Sequence, residues 1–203
     1  MTDRPVVVIP VKSFALAKSR LSASLSDQTR RALGSALAGR TAWTARDAGA
    51  DVVVVAGAEE VRHWAQRIGF AAVSQPSDRL GLNGAAAFGA AIASNAERPA
   101  YLLHADLPLL TPAVLRRAFR MPGPVIAPSY DGGTTLLGPV PSGFTFAYGI
   151  GSYTRHLAAI PTATPIIDAR LALDIDSARD LDRALATHGG RWLLPVMEIL
   201  DGS

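Results

Sequence analysis

The first apolar run of the chain constrains the fold more than any other feature. Residues 6 to 9 read VVVI and show no alternation of apolar and polar side chains. A strand of this kind is buried on both faces, which is typical of the middle of a parallel sheet. Because proline has no N–H to donate to a ladder, we expect this strand to end at Pro10.

Three cationic side chains follow the predicted strand: Lys12, Lys18 and Arg20. Open α/β sheets bind their ligands beside the loops that follow the carboxyl ends of central strands. This segment is therefore a candidate anion-binding loop. A solvated basic loop is the alternative, since most Lys and Arg side chains on a protein surface bind nothing.

The region after this loop alternates between helix and strand patterns. Helices are predicted at 26–48, with Ser26 as the cap, and at 58–68, and strands at 52–56 and 70–73. The resulting βαβαβ order predicts an α/β fold with a mostly parallel central sheet and helices on both faces. At 203 residues, the chain is expected to form a single domain over 1–203.

The composition narrows the class of ligand. A hydrophobic content of 49% with 18% charged residues excludes a disordered chain, and the net charge of +3 is too evenly spread to indicate a nucleic-acid-binding surface. A small anionic ligand suits this charge better. The absence of cysteine excludes disulfides and thiolate chemistry and fits a cytoplasmic protein. The charged amino end and the short apolar run behind it predict neither a signal peptide nor a membrane span.

The segment Gly81-Leu82-Asn83-Gly84 precedes an alanine-rich helix that is predicted to run to about Asn95. Glycines at the start of a helix let backbone N–H groups approach a ligand, and the Asn83 side chain can cap the helix or bind a base or phosphate. An ordinary helix start is the alternative. The small residues from 85 to 91 predict close packing against this helix.

Acidic side chains in two distant segments are candidates for metal binding. Asp106 is predicted to end an apolar strand that begins near Tyr101, which places it at the carboxyl edge of the sheet, and a half-buried carboxylate there needs a partner such as Mg²⁺. Asp174 and Asp176 alternate with apolar residues, so they project to the same side of an extended chain and repel each other unless a cation lies between them. Alternatively, Asp176 caps a helix that starts at Ser177.

Further predictions concern other polar residues near these acids or between them in the sequence. The glycine pair before Thr134 predicts a tight turn whose amides and hydroxyls could hold a carboxylate or phosphate, or else a plain hairpin turn. Ser152 is expected to cap a helix at 153–159, whose N-terminus could receive an anion. Thr111 is expected to cap the helix that follows it, and His104 to face the core or a neighbouring helix without a catalytic role.

Six segments occur in an order and at spacings that resemble the 2-phospho-L-lactate or phosphoenolpyruvate guanylyltransferase family: IPVKSFALAKSRL, GLN, ADLPLL, APSYDGGTTLL, YGIGSYTRH and LDID. The resemblance extends from Val6 to about Leu185. That family makes the guanylylated precursor used in building coenzyme F-420. The resemblance implies a Rossmann-like nucleotidyltransferase fold of the nucleotide-diphospho-sugar transferase type.

The resemblance also implies a role for each matching residue. The catalytic residues would be Lys12, Lys18, Arg20 and Asp106. GTP would bind along Pro10, Lys12, Gly81, Leu82 and Asn83, Mg²⁺ at Asp106, Asp174 and Asp176, and the phospho-acid at Thr134, Gly149 and Ser152.

The implied reaction joins GMP from GTP to the phosphate of phosphoenolpyruvate or 2-phospho-L-lactate and releases pyrophosphate. The family also suggests a homodimer, whose product passes to a downstream transferase. Two alternatives stay open. The first is a nucleotidyltransferase of the molybdenum-cofactor or cytidylyltransferase type with another small acceptor. The second is a non-catalytic nucleotide-binding protein, which would be expected to have lost the cations or the carboxylates, whereas this chain has both.

Overall fold

The computed structural model describes residues 4–201, with side chains as far as residue 197. Its strands are β1 (Val6–Val11), β2 (Asp51–Ala56), β3 (Ala71–Ser74), β4 (Ala100–Leu103), β5 (Val125–Pro128), β6 (Thr134–Gly138) and β7 (Thr164–Pro165). Its α-helices are α1 (Asp27–Asp47), α2 (Glu59–Arg67), α3 (Gly81–Asn95), α4 (Pro112–Arg120), α5 (Ser152–Ala159), α6 (Ala169–Ala172), α7 (Ala178–Leu185) and α8 (Leu194–Asp201). The expectation of one domain over 1–203 reaches beyond the described residues and stays a prediction.

The described residues form a seven-stranded sheet with the order β3-β2-β1-β4-β6-β5-β7. β1 lies between β2 and β4 and is parallel to both, and β3 extends the parallel part. β6 runs antiparallel between β4 and β5, and β7 pairs in parallel with β5 at the edge. The predicted α/β fold with a mostly parallel central sheet is therefore confirmed.

The side chains of β1 explain why its sequence does not alternate. Val7 and Ile9 pack into one core with α1, α2 and α4, whereas Val6 and Val8 pack into a second core with α3 and α5. All four side chains are buried because helices cover both faces of the sheet. The predicted arrangement of helices on both faces is confirmed.

Pro10 does not end the first strand, contrary to the sequence-based prediction. β1 continues to Val11, and Pro10 pairs in register with Val55 of β2. The pairing of β1 with β4 stops at Val8, so the chain around Pro10 has a partner strand on one side only. A proline is tolerated in a strand where one side needs no N–H donor.

The helix starts agree with the sequence in some places and not in others. Ser26 caps α1, because its Oγ accepts a hydrogen bond from the N–H three residues later at 3.1 Å. Thr111 occupies the cap position of α4, but its hydroxyl is buried without a hydrogen-bond partner among the described residues. Ser177 caps α7 and forms a reciprocal capping box with Asp180. The alternative role of Asp176 as a helix cap is therefore wrong.

A third apolar cluster fixes the position of the second acidic segment. Leu173 and Ile175 are buried together with Leu21, which follows the cation-rich loop, and with leucines of α1. The segment is not a strand, but it is extended at Leu173. Because its apolar and acidic residues alternate, burial of the two apolar side chains turns Asp174 and Asp176 to the opposite side.

The close packing predicted for the alanine-rich helix is found where α3 crosses the sheet. A Cβ added at Gly89 would lie 2.2 Å from Cγ1 of Val8 and 3.0 Å from Cγ2 of Val55. We predict that Gly89→Ala lowers the free energy of unfolding by about 1–3 kcal/mol, because the helix must move away from the sheet. Urea unfolding followed by circular dichroism measures this change.

Gly39→Ala in α1 is the matched control. A Cβ there would meet its nearest neighbour, Cζ2 of Trp64, at an ordinary contact distance of 3.6 Å. This substitution should be neutral or raise stability by up to about 1 kcal/mol, since alanine favours the helix. Equal effects of the two substitutions would contradict close packing at Gly89.

Candidate active site

A cavity of about 340 Å³ opens where β1 and β4 end. The residues that line it come from the loop after β1, the start of α3, the end of β4 and the second acidic segment, and they include Pro10, Lys12, Lys18, Leu82, His104, Asp106, Asp174 and Asp176. A larger groove of about 460 Å³ lies between α3 and residues 140–146, but among the described residues its lining contains no carboxylate. The smaller cavity therefore holds the chemically distinctive groups.

Lys18 joins the two acidic segments inside this cavity. Its Nζ lies 2.5 Å from Oδ2 of Asp106 and 3.6 Å from Oδ1 of Asp176, and only 9% of its side chain is exposed. Arg20 lies further out, with one guanidinium nitrogen 3.6 Å from Oδ2 of Asp176. Cations after the opening strand and acids from two distant segments thus converge on one place. Lys12 lines the same cavity and is exposed.

The backbone of Lys18 adopts a conformation that is uncommon for a residue with a side chain. Its φ of +53° lies in the left-handed region. Such conformations cost free energy and persist where the surroundings hold them, often at functional sites. The side chain of Lys18 is held here by its buried contact with Asp106.

The environments of Asp106 and Asp174 shift their pKa values in opposite directions. Burial raises the pKa of Asp174 to about 7, and repulsion from Asp106 and Asp176 adds to the rise. Burial also acts to raise the pKa of Asp106, but the charge and hydrogen bond of Lys18, together with the charge of His104, outweigh it and the pKa of Asp106 is lowered. Burial acts to lower the pKa of Lys18, yet its contacts with Asp106 and the charges of Asp176 and Asp174 together outweigh it and raise that pKa. The three carboxylates therefore hold more negative charge than Lys18 neutralises.

Asp106, Asp174 and His104 can together hold a metal ion. Each offers one ligand atom, and these atoms all lie within 4.8 Å of one another. Oδ1 of Asp106 and Nε2 of His104 are buried without a hydrogen-bond partner among the described residues. Two carboxylates beside an imidazole fit a divalent cation. The expectation that His104 faces the core or a neighbouring helix is wrong, because β4 ends one residue earlier and His104 lines the cavity instead.

Asp176 lies outside this group of three. Its carboxylate contacts Lys18 and Arg20 rather than the other two acids. Its predicted role as a third metal ligand stays a prediction. The Asp176 carboxylate lies between the two cations, 3.6 Å from each.

The GLN segment contributes one residue to the cavity wall, and its Asn83 side chain bonds to another segment instead of capping the helix. Leu82 lines the cavity, and Gly81 has a φ of +76°, a conformation that favours glycine. Oδ1 of Asn83 accepts a hydrogen bond from the backbone N–H of Tyr148 at 2.7 Å. The Asn83 side chain therefore ties the start of α3 to the segment that leads to Gly149.

The three predicted acceptor-binding residues do not line the cavity but form a cluster next to it, since the N–H of His104 donates to the carbonyl of Thr135, which follows Thr134. The hydroxyl of Ser152 donates to Oγ1 of Thr134 at 3.2 Å, and both side chains are buried. Ser152 is the first residue of α5, and Gly151, with a φ of +69°, occupies the cap position. The prediction that Ser152 caps α5 is wrong, because its hydroxyl turns inward to Thr134. Gly149 begins the turn that leads into this helix, and Ser152 donates its N–H to the Gly149 carbonyl.

The turn before Thr134 is a hairpin turn that satisfies its own polar groups. β5 and β6 pair in an antiparallel fashion on either side of it. The Asp131 carboxylate accepts hydrogen bonds from the Ser129 hydroxyl and from the Gly133 N–H. These groups are already bonded within the turn, which favours the hairpin interpretation.

Sequence reasoning missed Glu60, at the start of α2. Its Oε1 accepts hydrogen bonds from the Ser13 hydroxyl at 2.7 Å, the Phe14 N–H at 2.9 Å and the Ala15 N–H at 3.1 Å. These bonds hold the cation-rich loop against α2. The sequence gives no signal for this contact, because the partners lie 45 to 47 residues apart.

The fold of the chain is similar to that of two solved structures, each at 14% identity. One is a protein from Desulfovibrio desulfuricans G20 described as a nucleotide-diphospho-sugar transferase, with a TM-score of 0.75 over 98% of each chain. The other is a nucleotidyl transferase from Methanothermobacter thermautotroptrophicus, with a TM-score of 0.58 over 94% of this chain and all of that one.

Sequence similarity identifies the family. Residues 5–191 match the family model of CofC-like guanylyl transferases, so the chain belongs to that family. The chain is 37% identical to the phosphoenolpyruvate guanylyltransferase of Streptomyces coelicolor and 36% identical to that of Streptomyces scabiei, over 91% of both chains in each case. It is 32% identical to the 2-phospho-L-lactate guanylyltransferase of Halobacterium salinarum, over 81% of this chain and 77% of that one. Among the described residues, no helix is long and apolar enough to cross a membrane.

The raised pKa of Asp174 predicts that ionisation of this carboxyl group destabilises the folded protein. The Asp174 carboxyl group binds its proton more tightly in the folded state than in the unfolded state. Its protonation therefore contributes fully to the free energy of unfolding below about pH 4, and this contribution is lost as the pH rises through about 7. We predict that Asp174→Asn, without divalent metal, raises the free energy of unfolding at pH 8 by on the order of 1–3 kcal/mol and changes it little at pH 4.5. Urea unfolding in EDTA at the two pH values measures the difference.

Asp182→Asn is the control, because that carboxylate is exposed on α7. It should leave stability nearly unchanged at both pH values. A loss of stability for Asp174→Asn at pH 8 in EDTA would contradict the proposed crowding of charge in the cavity.

Proposed function

We propose that this protein transfers GMP from GTP to the phosphate of phosphoenolpyruvate, releasing pyrophosphate and forming enolpyruvyl-diphospho-5'-guanosine. The observation that carries the proposal is the contact of Lys18 with Asp106 and Asp176 in one cavity. This arrangement combines fixed positive charge with carboxylates suited to a divalent cation, which transfer between two anionic substrates requires.

Charge repulsion is the main obstacle to this reaction, because the nucleotide and the acceptor are both anionic. Lys12 and Lys18 line the cavity and Arg20 lies further out, and together they would neutralise the triphosphate of GTP. Lys18 is buried and held by Asp106, so its charge is already oriented before substrate binds. The Lys18 ammonium would then need to move only a short distance to replace its hydrogen bond to a carboxylate with one to a phosphate oxygen.

Asp106 and Asp174 would hold Mg²⁺, with Asp176 nearby. When bound, Mg²⁺ would neutralise charge on the triphosphate and on the pyrophosphate leaving group. Oδ1 of Asp106 has no hydrogen-bond partner among the residues that the structure describes, and the pKa of Asp174 is raised. Both observations support this assignment, because a cation would bind the free oxygen and stabilise the ionised Asp174 carboxylate. His104 offers a nitrogen donor to the same group.

The attacking group needs no general base. The phosphate of phosphoenolpyruvate is ionised near neutral pH, so one of its oxygens can attack the α-phosphorus of GTP in line. The role of the chain is to align the two substrates. We assign acceptor binding to Thr134, Gly149 and Ser152, which lie together beside the cavity, and nucleotide binding to the loop after β1 and the segment 81–83.

Phosphoenolpyruvate is proposed as the acceptor on the strength of the Streptomyces relatives, which match over 91% of the chain. The Halobacterium relative, whose name gives 2-phospho-L-lactate, matches over 81%. The activated product is reactive, so we further propose that it passes directly to a downstream transferase in the cytoplasm. A homodimer is part of the same proposal.

A panel of substrates tests the function. The protein is mixed with Mg²⁺, each of the four nucleoside triphosphates, and phosphoenolpyruvate, 2-phospho-L-lactate or 3-phosphoglycerate in turn. We expect rapid pyrophosphate release with GTP and phosphoenolpyruvate, with the guanylylated product detected by mass spectrometry. A clear preference for 2-phospho-L-lactate, or for a cytidine or adenosine nucleotide, would overturn this assignment.

Substitution of the central carboxylate tests the mechanism. We predict that Asp106→Asn lowers kcat/KM by about a thousandfold or more, which corresponds to roughly 4 kcal/mol of transition-state stabilisation. Asparagine keeps the shape of the side chain but removes the charge that holds both Lys18 and the metal. Steady-state pyrophosphate release at saturating Mg²⁺ measures the loss, and circular dichroism confirms that the variant is folded. Asp182→Asn should retain full activity, and a loss of less than tenfold for Asp106→Asn would remove Asp106 from the catalytic group.

A further inference from the structure

His156 is a buried histidine that the proposed mechanism does not use. It lies one turn into α5 and is fully buried. Both of its ring nitrogens have partners. Nε2 lies 2.9 Å from the backbone nitrogen of Ala147, and Nδ1 lies 3.0 Å from Oγ1 of Thr134.

These two contacts fix the tautomer of the ring. A backbone N–H can only donate, so Nε2 must be the acceptor of the bond from Ala147. The neutral ring then carries its hydrogen on Nδ1, which donates to Oγ1 of Thr134. Burial lowers the pKa of His156 to about 4, with a smaller effect of the Arg155 charge, so the ring is neutral at pH 7.

The orientation of the Thr134 hydroxyl follows from this tautomer. Its oxygen accepts one hydrogen bond from Nδ1 of His156 and another from the hydroxyl of Ser152. A hydroxyl oxygen has two lone pairs, and both are then in use. The hydrogen of the Thr134 hydroxyl is therefore directed away from His156 and Ser152.

His156 also connects the three segments that carry the predicted acceptor-binding residues. Thr134 opens β6, Ala147 lies two residues before Gly149, and Ser152 opens the helix that carries His156 itself. The segment anchored at Ala147 continues to Tyr148, whose N–H donates to Asn83 at the start of α3. The ring of Tyr148 packs edge-on against His156, with centroids 4.8 Å apart, and lies 5.5 Å from the ring of His104 in the cavity.

We infer that His156 is a positioning residue for the acceptor phospho-acid, which acts by orienting Thr134 and anchoring residues 147–149 without touching the substrate. The inference rests on the proposed function, because the acceptor role of this cluster is part of it. A histidine with both nitrogens bonded to different segments holds their spacing and direction at once. Loss of the ring would let those segments separate by small distances, to which the alignment of two substrates is sensitive.

Three substitutions of His156 distinguish the effect of its hydrogen bond to Thr134 from that of its hydrogen bond to Ala147. His156→Ala removes both. His156→Asn places an amide N–H near the position of Nδ1 and keeps a donor to Thr134, whereas His156→Gln places a carbonyl near the position of Nε2 and keeps an acceptor for Ala147. His63→Ala, at an exposed position on α2, is the control.

We expect His156→Ala to raise the KM for phosphoenolpyruvate by about tenfold or more, while the KM for GTP changes by less than about threefold. The Asn and Gln variants should each recover part of the loss, and the His63 variant should match the wild type. Thermal unfolding of each variant shows which fraction is folded at the assay temperature. If the KM values for both substrates change equally, or if only the thermal midpoint falls, His156 is a structural residue and the inference is wrong.

A spectroscopic measurement tests the inference independently of activity. In the ¹⁵N-histidine-labelled wild-type protein at pH 7.5, two-bond ¹H–¹⁵N correlations should include a neutral ring with its hydrogen on Nδ1, and this signal should be the one that disappears in His156→Gln. If the ring signal that disappears in this variant has its hydrogen on Nε2, the inference is wrong. An inactive wild-type protein with every acceptor would instead refute the proposed function, so the two failures can be told apart.

Discussion

The contact between Lys18 and Asp106 is the interaction on which the rest of the site depends. Both groups lie at the carboxyl end of the central sheet, and each shifts the pKa of the other toward the charged form. Removal of one partner from a buried ion pair of this kind is strongly destabilising, because the other charge is left buried without compensation. It does not neutralise Asp174, whose pKa rises to about 7. The protein therefore holds an excess of negative charge where a cation would bind, at the expense of some stability.

The topology of the sheet explains how distant segments reach this ion pair. β1 and β4 are parallel neighbours, so the loop with the cations and the residues that follow β4 begin at the same edge. The second acidic segment comes from far along the chain, and its position is set by burial of Leu173 and Ile175 against Leu21. The packing of apolar side chains thus determines where the neighbouring carboxylates lie. The same argument applies on the acceptor side, where His156 joins Thr134 to Ala147.

Patterns that span one element predicted the structure well, and single residues at element ends did so less reliably. The unbroken apolar run of β1 and the small residues of α3 behave as expected, because each reflects burial over several residues. Pro10 and Ser152 do not, because their environments depend on neighbouring strands and side chains. Pro10 remains in a strand that is unpaired on one side, and the Ser152 hydroxyl finds a buried partner in Thr134.

The sequence by itself determined the α/β class, the mostly parallel sheet and the identity of the charged residues, because buried strands and cationic loops leave periodic and compositional patterns. The sequence also predicted that the cations after the first strand meet acids from two distant segments. In the structure, Lys18 reaches Asp106 because β1 and β4 are parallel neighbours, and it reaches Asp176 because Leu173 and Ile175 are buried against Leu21. Only the tertiary structure decided which of the acids share a metal-sized space, that His104 joins them and that Glu60 holds the cation loop. These contacts join residues far apart in the chain, and hydrogen bonds between such residues depend on distances that no local pattern encodes.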